Sequence, residues 1–168
     1  GLSEAQYLEI ITGKTAFLIQ AACQCGAIAA QADPAQVQAA ASFGLNLGIA
    51  FQLVDDALDY AATQEQVGKP VGSDLREGKL TLPLLYYLQK AAPERRGWFL
   101  ERLAMSAFTD TDLQNLVQEI REMGCDSRTR ELAGRYARQA ADALASFPDT
   151  QEKQLLEQVL EYVINRDK

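Results

Sequence analysis

The chain has 168 residues with a formal net charge of −7, 48% apolar and 23% charged residues, and no histidine. This is the composition of a packed globular chain, one domain or half of a larger one, and it excludes general disorder. The acidic balance argues against a nucleic-acid-binding face, and the lack of histidine removes the Ser-His-Asp and Cys-His nucleophiles and the usual histidine zinc sites. Chemistry here has to run on carboxylates, lysines, arginines, hydroxyls and metal ions. No uncharged apolar run approaches the roughly 18 residues of a membrane span, so no span is expected. Cys23, Cys25 and Cys125 are an odd number. Cys23 and Cys25 fall on different faces of a helix, which is neither a disulfide framework nor a CxxC pair; a reducing cytoplasm is expected. No signal peptide is recognisable. The chain starts at Gly1-Leu2-Ser3 and its two methionines, Met105 and Met123, are interior. It reads as a piece of something longer.

Nearly every segment has a period near 3.6, and nothing alternates for long with period 2. Ser3 with Gln6 suggests a capping box opening a helix to about Ala30. Asp33-Pro34 opens a second, long helix to about Ala61. Thr63 to Gly78, with Pro70 and several glycines, reads as a long loop. Leu80 to Ala91 forms a short apolar helix. Pro93 starts another, to about Met105. Thr109-Asp110 caps one that stops near Gly124. Asp126 or Ser127 opens the next, to Phe147, and Asp149-Thr150 caps a last helix through Asn165. The expected fold is an all-α bundle.

The second helix carries the chemistry. In Phe43 to Tyr60, residues Gly44, Gly48, Gln52, Asp55 and Asp59 share an arc of roughly 80°, with Asp56 outside it. The rest of the circumference is mostly apolar, which is the pattern of an interior helix. Bare buried carboxylates cost several kcal/mol each, and like charges at these spacings repel. A hard divalent cation answers this, and Mg²⁺ is held by one or two carboxylates plus waters and substrate phosphates. The bland alternative for DDxxD is a solvated helix end. The glycines admit two readings, close helix packing or room for a substrate.

On the first helix, Gln6, Glu9, Gln20, Gln24 and Gln31 cluster on one side. Lys14 lies opposite, in line with Tyr7, Ile11, Leu18, Ala22 and Cys25. Such a lysine points inward and wants an anion, unless it snorkels to the surface. Thr15 adds a hydroxyl. The loop Val67-Gly68-Lys69-Pro70-Val71-Gly72-Ser73-Asp74-Leu75-Arg76-Glu77-Gly78-Lys79 offers backbone N–H groups and two lysines to an anion, but its spacing does not fit a Walker loop. Together these residues could hold a diphosphate, with the apolar interior taking an attached hydrocarbon.

Lys14-Thr15, then Phe51-Gln52-Leu53-Val54-Asp55-Asp56-Ala57-Leu58-Asp59-Tyr60, then Val67-Gly68-Lys69 through Glu77-Gly78-Lys79-Leu80-Thr81-Leu82-Pro83, and the ending Tyr162 to Lys168, resemble the trans-isoprenyl (polyprenyl) diphosphate synthases, in particular the long-chain octaprenyl type. The resemblance covers essentially the whole chain but only the C-terminal half of that family's single domain, so residues 1–168 are expected to be the C-terminal part of a polyprenyl synthase domain. It implies an isoprenoid-synthase-type helical bundle, a homodimer, and Mg²⁺-dependent head-to-tail condensation of an allylic prenyl diphosphate with isopentenyl diphosphate through an allylic carbocation. By matched position, Asp55 would be the leading Mg²⁺ ligand, supported by Asp56 and Asp59. Lys14 and Lys69 would grip the allylic diphosphate. Thr15 and Gln52 would place oxygen dipoles beside the developing cation. Phe51 would pack near the isopentenyl group, Asp74 and Lys79 would order metal waters and the loop, and Arg166 would help close the isopentenyl site.

The chain departs from the family in having one DDxxD only. The family's first aspartate-rich motif and upstream isopentenyl-binding residues are absent, and Arg95-Arg96-Gly97 reads as a chance match on a helix surface. This chain alone is therefore expected to be inactive. The alternatives are a non-catalytic regulatory subunit of a heteromeric synthase, another class of isoprenoid enzyme, which the Gly-Lys loop and Thr-Leu-Pro argue against, and a bundle that binds no diphosphate.

Overall fold

The computed structural model describes residues 2–61 and 72–166. These residues form helices and no strand. In chain order the elements are α1 (Glu4–Ile11), a π-helical turn (Thr12–Ala16), α2 (Phe17–Ala29), α3 (Pro34–Ala61), α4 (Ser73–Arg76), α5 (Leu82–Lys90), α6 (Pro93–Ala104), α7 (Asp110–Glu122), α8 (Cys125–Leu144) and α9 (Gln151–Asn165). The all-α expectation holds. The first helix, expected to be regular to Ala30, is interrupted by the π turn, and the expected long loop contains the short helix α4.

The helix starts follow from local chemistry. Asp33 Oδ1 accepts from the Gln36 N–H at 2.9 Å while Gln36 Oε1 accepts from the Asp33 N–H at 3.4 Å, a reciprocal cap for α3. Thr109 and Asp112 do the same for α7, and Thr150 accepts from the Lys153 N–H at the start of α9. Gly124, with φ +64°, ends α7 in the left-handed region where a side chain would be strained, so α8 begins at once at Cys125.

Among the described residues the chain divides into two compact units, residues 2–4 with 55–129, and residues 5–54 with 130–166. In the second unit Phe43, Leu47 and Ala50 of α3 pack with Ala137, Ala140 and Leu144 of α8 and with Leu160 and Val163 of α9. Helix α8 thus buries one apolar stripe and leaves a charged face outside, whereas α9 buries Leu160 and Val163 but also exposes Leu155, Val159 and Tyr162. In the first unit α5 packs against α7. Its interior holds Leu82, Leu84, Tyr86 and Tyr87 of α5, Phe99 of α6, and Leu113, Leu116 and Ile120 of α7.

Buried aromatic residues of the first unit have polar partners for their hydroxyls. The Tyr86 hydroxyl donates to Glu4 Oε2 at 2.7 Å, and the Arg128 guanidinium covers the Tyr86 ring at 3.7 Å. The Tyr87 hydroxyl donates to Glu119, which also takes two Arg95 N–H bonds at 2.7 and 3.1 Å. Arg95 in turn stacks 3.8 Å over Trp98, whose ring meets Phe108 edge-on at 6.0 Å. Arg95 is half-buried in this clasp while Arg96 is exposed, so only Arg96 fits the expected helix-surface position.

By length and composition α3, at 28 residues, is apolar enough to cross a membrane, although no uncharged apolar run in it reaches span length. Half of its most apolar window is buried inside the protein, as in the core helix of a bundle, and the helix establishes no membrane span.

Candidate functional site

The three aspartates of α3 have different surroundings. Asp55 is exposed, Asp56 is 4% exposed, and Asp59 is half-buried. Around them Leu53, Val54, Ala57 and Tyr60 are fully buried. Successive helix residues diverge by about 100°, which is why neighbouring carboxylates cannot share one environment.

Asp59 is occupied by the chain itself. Its Oδ1 accepts from the Ser73 N–H and the Ser73 hydroxyl, both at 3.0 Å, and its Oδ2 accepts from the Asp74 N–H at 2.9 Å. The Gly72 N–H donates to the Asp59 carbonyl at 3.1 Å. The carboxylate therefore caps α4 from outside, at a place where the residue before the helix, Gly72, has φ +77° and no side chain to offer. A Cβ on Gly72 would also come within 3.0 Å of Val117 Cγ2. Burial raises the Asp59 carboxyl above its ordinary range, and the Asp74 charge adds to this against the hydrogen bonds that lower it.

Lys79 donates to Asp74 Oδ1 at 2.9 Å and pairs with Glu77 at 2.7 Å, and these partners raise its pKa above the ordinary lysine value. Its N–H also donates to the Asp74 carbonyl at 2.8 Å. Below the motif the Tyr60 hydroxyl meets Thr81 Oγ1 at 2.5 Å in the interior. Burial pushes the Tyr60 phenol well above its usual value, so it stays neutral. Gly68 and Lys69 lie outside the described residues.

In the other unit, Lys14 and Thr15 sit in the π turn Thr12–Ala16, where the Phe17 N–H reaches back to the Thr12 carbonyl. The Thr15 hydroxyl donates to Gln52 Oε1 at 2.9 Å. Arg166 places its guanidinium 4.4 Å over the ring of half-buried Phe51. Gln52 and Asp55 are about one turn apart on α3. Lys14 is exposed, which corrects the inward-pointing lysine inferred from a regular helix. The π turn inserts one residue into the register. The inward face runs Tyr7, Ile11, Ala16 and then half-buried Ile19, Gln20, Cys23 and Gln24. The stripe expected to continue it, Leu18, Ala22 and Cys25, is turned out, with Leu18 77% exposed.

The two glycine readings are also separated. A Cβ on Gly44 would stand 2.7 Å from the Ile19 carbonyl oxygen, and one on Gly48 would stand 2.6 Å from Ala16 Cα. These glycines let the backbones of α3 and the first helix approach; they do not hold open space.

Among the described residues no three His, Cys, Asp or Glu side chains form a group that could hold a metal ion. Asp55, Asp56, Asp59 and Asp74 are thus not gathered into a cage. One exposed carboxylate, one buried and one held by the Ser73 and Asp74 N–H groups do not make a dedicated protein cage; they fit a hard cation that keeps most of its waters.

Residues 1–120 match the family model described as polyprenyl synthetase. The chain belongs to the polyprenyl synthetase family. It is 37% identical over 171 residues to the octaprenyl diphosphate synthase of Escherichia coli K12, covering 99% of this chain and 51% of that protein. The heptaprenyl diphosphate synthase component 2 of Bacillus subtilis is 34% identical over 160 residues, covering 95% and 45% respectively. Among solved structures, a Caulobacter crescentus polyprenyl synthase complexed with calcium and isoprenyl diphosphate superposes with TM-score 0.92 at 40% identity, over 100% of this chain and 51% of that one. The chain spans about half the length of the curated relatives it matches. Those relatives are polyprenyl diphosphate synthases, which are prenyl transferases.

Proposed function

We propose that this polyprenyl synthetase chain contributes to head-to-tail condensation of an allylic prenyl diphosphate with isopentenyl diphosphate. The observation that carries the reading is Asp55, the exposed residue in a stretch of α3 whose other side chains are buried or half-buried. It stands one helix turn before Asp59, which ties the Gly-Ser-Asp segment to the same helix. Asp55 would hold a Mg²⁺ ion, with Asp74 ordering its waters; Asp56, expected to support the ion, is buried on another side of the helix and takes no part in this reading. When bound, the ion would neutralise the allylic diphosphate and favour its departure as a leaving group.

The remaining roles belong to side chains. Lys14 and Lys69 bind the allylic diphosphate as point charges. Thr15 donates to Gln52 Oε1 and so fixes the Gln52 amide, and the oxygen dipoles of this pair would stabilise positive charge developing on the allyl group. Phe51, held under Arg166, packs beside the isopentenyl group, and the Arg166 cation attracts its diphosphate. Asp59 positions Ser73 and Asp74. Lys79 holds the same segment through Asp74. In the product-forming step the isopentenyl double bond attacks the allylic cation, and the proton lost from the resulting tertiary cation passes to the released diphosphate. Homodimeric assembly and a cytoplasmic setting complete the proposal; the unpaired thiols of Cys23, Cys25 and Cys125 suit a reducing compartment.

Calorimetric titration of farnesyl diphosphate into the chain tests this. Binding should need Mg²⁺ and weaken about tenfold or more in Asp55→Asn. Metal-independent binding that ignores Asp55→Asn would overturn it. Since the sequence has one DDxxD only, residues 1–168 alone should not turn over radiolabelled isopentenyl diphosphate. A second reading, a non-catalytic subunit of a heteromeric synthase, draws on the relative described as component 2. It predicts a stable complex with a second polypeptide and no Mg²⁺-dependent diphosphate binding.

A further inference from the structure

A cavity of about 330 Å³ opens within the second unit, between α2, the first half of α3, the end of α8 and the start of α9. Its walls are apolar, with Gly26, Phe43, Leu144, Phe147 and Leu156 among them and the Cys23 thiol as a soft polar group. None of these is a residue assigned above to diphosphate or metal. Along α3, Phe43 lies about 18 Å from Asp55. A Cβ built on Gly26 meets no atom within 4 Å, so the space beside it is open.

The mouth decides what can enter. Lys153 is 14% exposed, and its ammonium is already held by Asp149 at 2.7 Å and the Phe147 carbonyl at 3.2 Å. The Thr150 hydroxyl accepts from the Lys153 N–H. Glu152 is the carboxylate of the lining. Asp149 neutralises the Lys153 ammonium, and Glu152 leaves one net negative charge beside the cavity, which disfavours an anionic head group. A cavity of about 150 Å³ lined by apolar side chains takes a six-carbon ring; twice that volume takes about ten to twelve carbons.

We propose that this cavity binds an uncharged hydrocarbon of about ten carbons, such as a free prenyl alcohol, at a site separate from the one that takes diphosphates. The binding energy is that of apolar burial, the hydroxyl of an alcohol stays at the open mouth, and no metal is involved. The inference stands whether or not the condensation reading does.

The two neighbouring thiols supply the test. Cys23 lines the cavity and is half-buried, whereas Cys25 is exposed. Alkylation of the whole chain by iodoacetamide, read at each cysteine by fragment mass spectrometry, should show Cys23 slowed about fivefold by geraniol at several times its Kd. Cys25 should be unchanged, with or without Mg²⁺, and Asp55→Asn should behave as wild type. In Gly26→Phe, whose ring would occupy the open space, Cys23 should already be slow and geraniol should add nothing; circular dichroism checks that variant's fold. An unprotected Cys23 in the wild-type chain overturns the proposal. So does equal protection by geranyl monophosphate, because the mouth would then not select against charge.

Discussion

Asp59, one of three neighbouring carboxylates on α3, is committed to capping the helix that begins at Ser73. Spacing along a helix says which side chains share a face; it does not say which backbone returns to meet them. Ser73 and Asp74, fourteen and fifteen positions on, bring three donors to that carboxylate. The Thr15–Gln52 hydrogen bond, across thirty-seven positions, was equally hidden. Thr15→Val should therefore cost about 1 kcal/mol in urea unfolding through the lost bond, and should weaken the placement of Gln52. The caps were the readable part, because they are local. Thr109→Ala should cost about 1 kcal/mol. The hydrogen bonds from Thr109 hold the Asp112 carboxyl below the usual 3.8. Its folded pKa is depressed, so its contribution is complete above the ordinary value and is lost as pH falls through the lower folded one. A carbon-detected NMR titration should show Asp112 protonating below the ordinary carboxylate range.

At the scale of elements, helix order and most boundaries followed from apolar period, caps and prolines, and α3 was placed at its observed start and end. The π turn was missed because its five residues, Thr12–Ala16, are ordinary helix formers and a glycine. Its signal is a slip in the inward face, from Ile11 to Ala16, that only appears once burial is known. The slip matters, since it moves Lys14 to the exposed side and seats Ala16 against Gly48. Gly48→Ala would drive a methyl into the Ala16 backbone and should destabilise the chain by about 1–3 kcal/mol. Gly134→Ala in α8, whose new Cβ meets only the end of Arg138 at 3.8 Å, should instead stabilise by up to about 1 kcal/mol. Denaturant midpoints of the two variants check both signs.

For the whole molecule, fold class and family were readable because several short motifs occur in one order over nearly the full length. Assembly is where packing adds something. Helix α2 is strongly apolar, yet none of its residues is buried. Phe17, Leu18 and Ile28 are 56%, 77% and 57% exposed. An apolar helix face of this kind seeks a cover. Light scattering should give a mass above the 18.4 kDa of one chain, and the double variant Phe17→Glu, Leu18→Glu should move it toward the monomer. A chain that is monomeric at high concentration would oppose the homodimer.

The clasp around Trp98 has a practical consequence. The chain has one tryptophan, and that indole is pinned by Arg95 and Phe108, all inside the unit that runs from residue 55 to 129. Its emission is a local reporter, while ellipticity at 222 nm averages over both units. Were the units to melt independently, the two optical traces would separate along the urea axis; superimposable traces would mean that both melt as one.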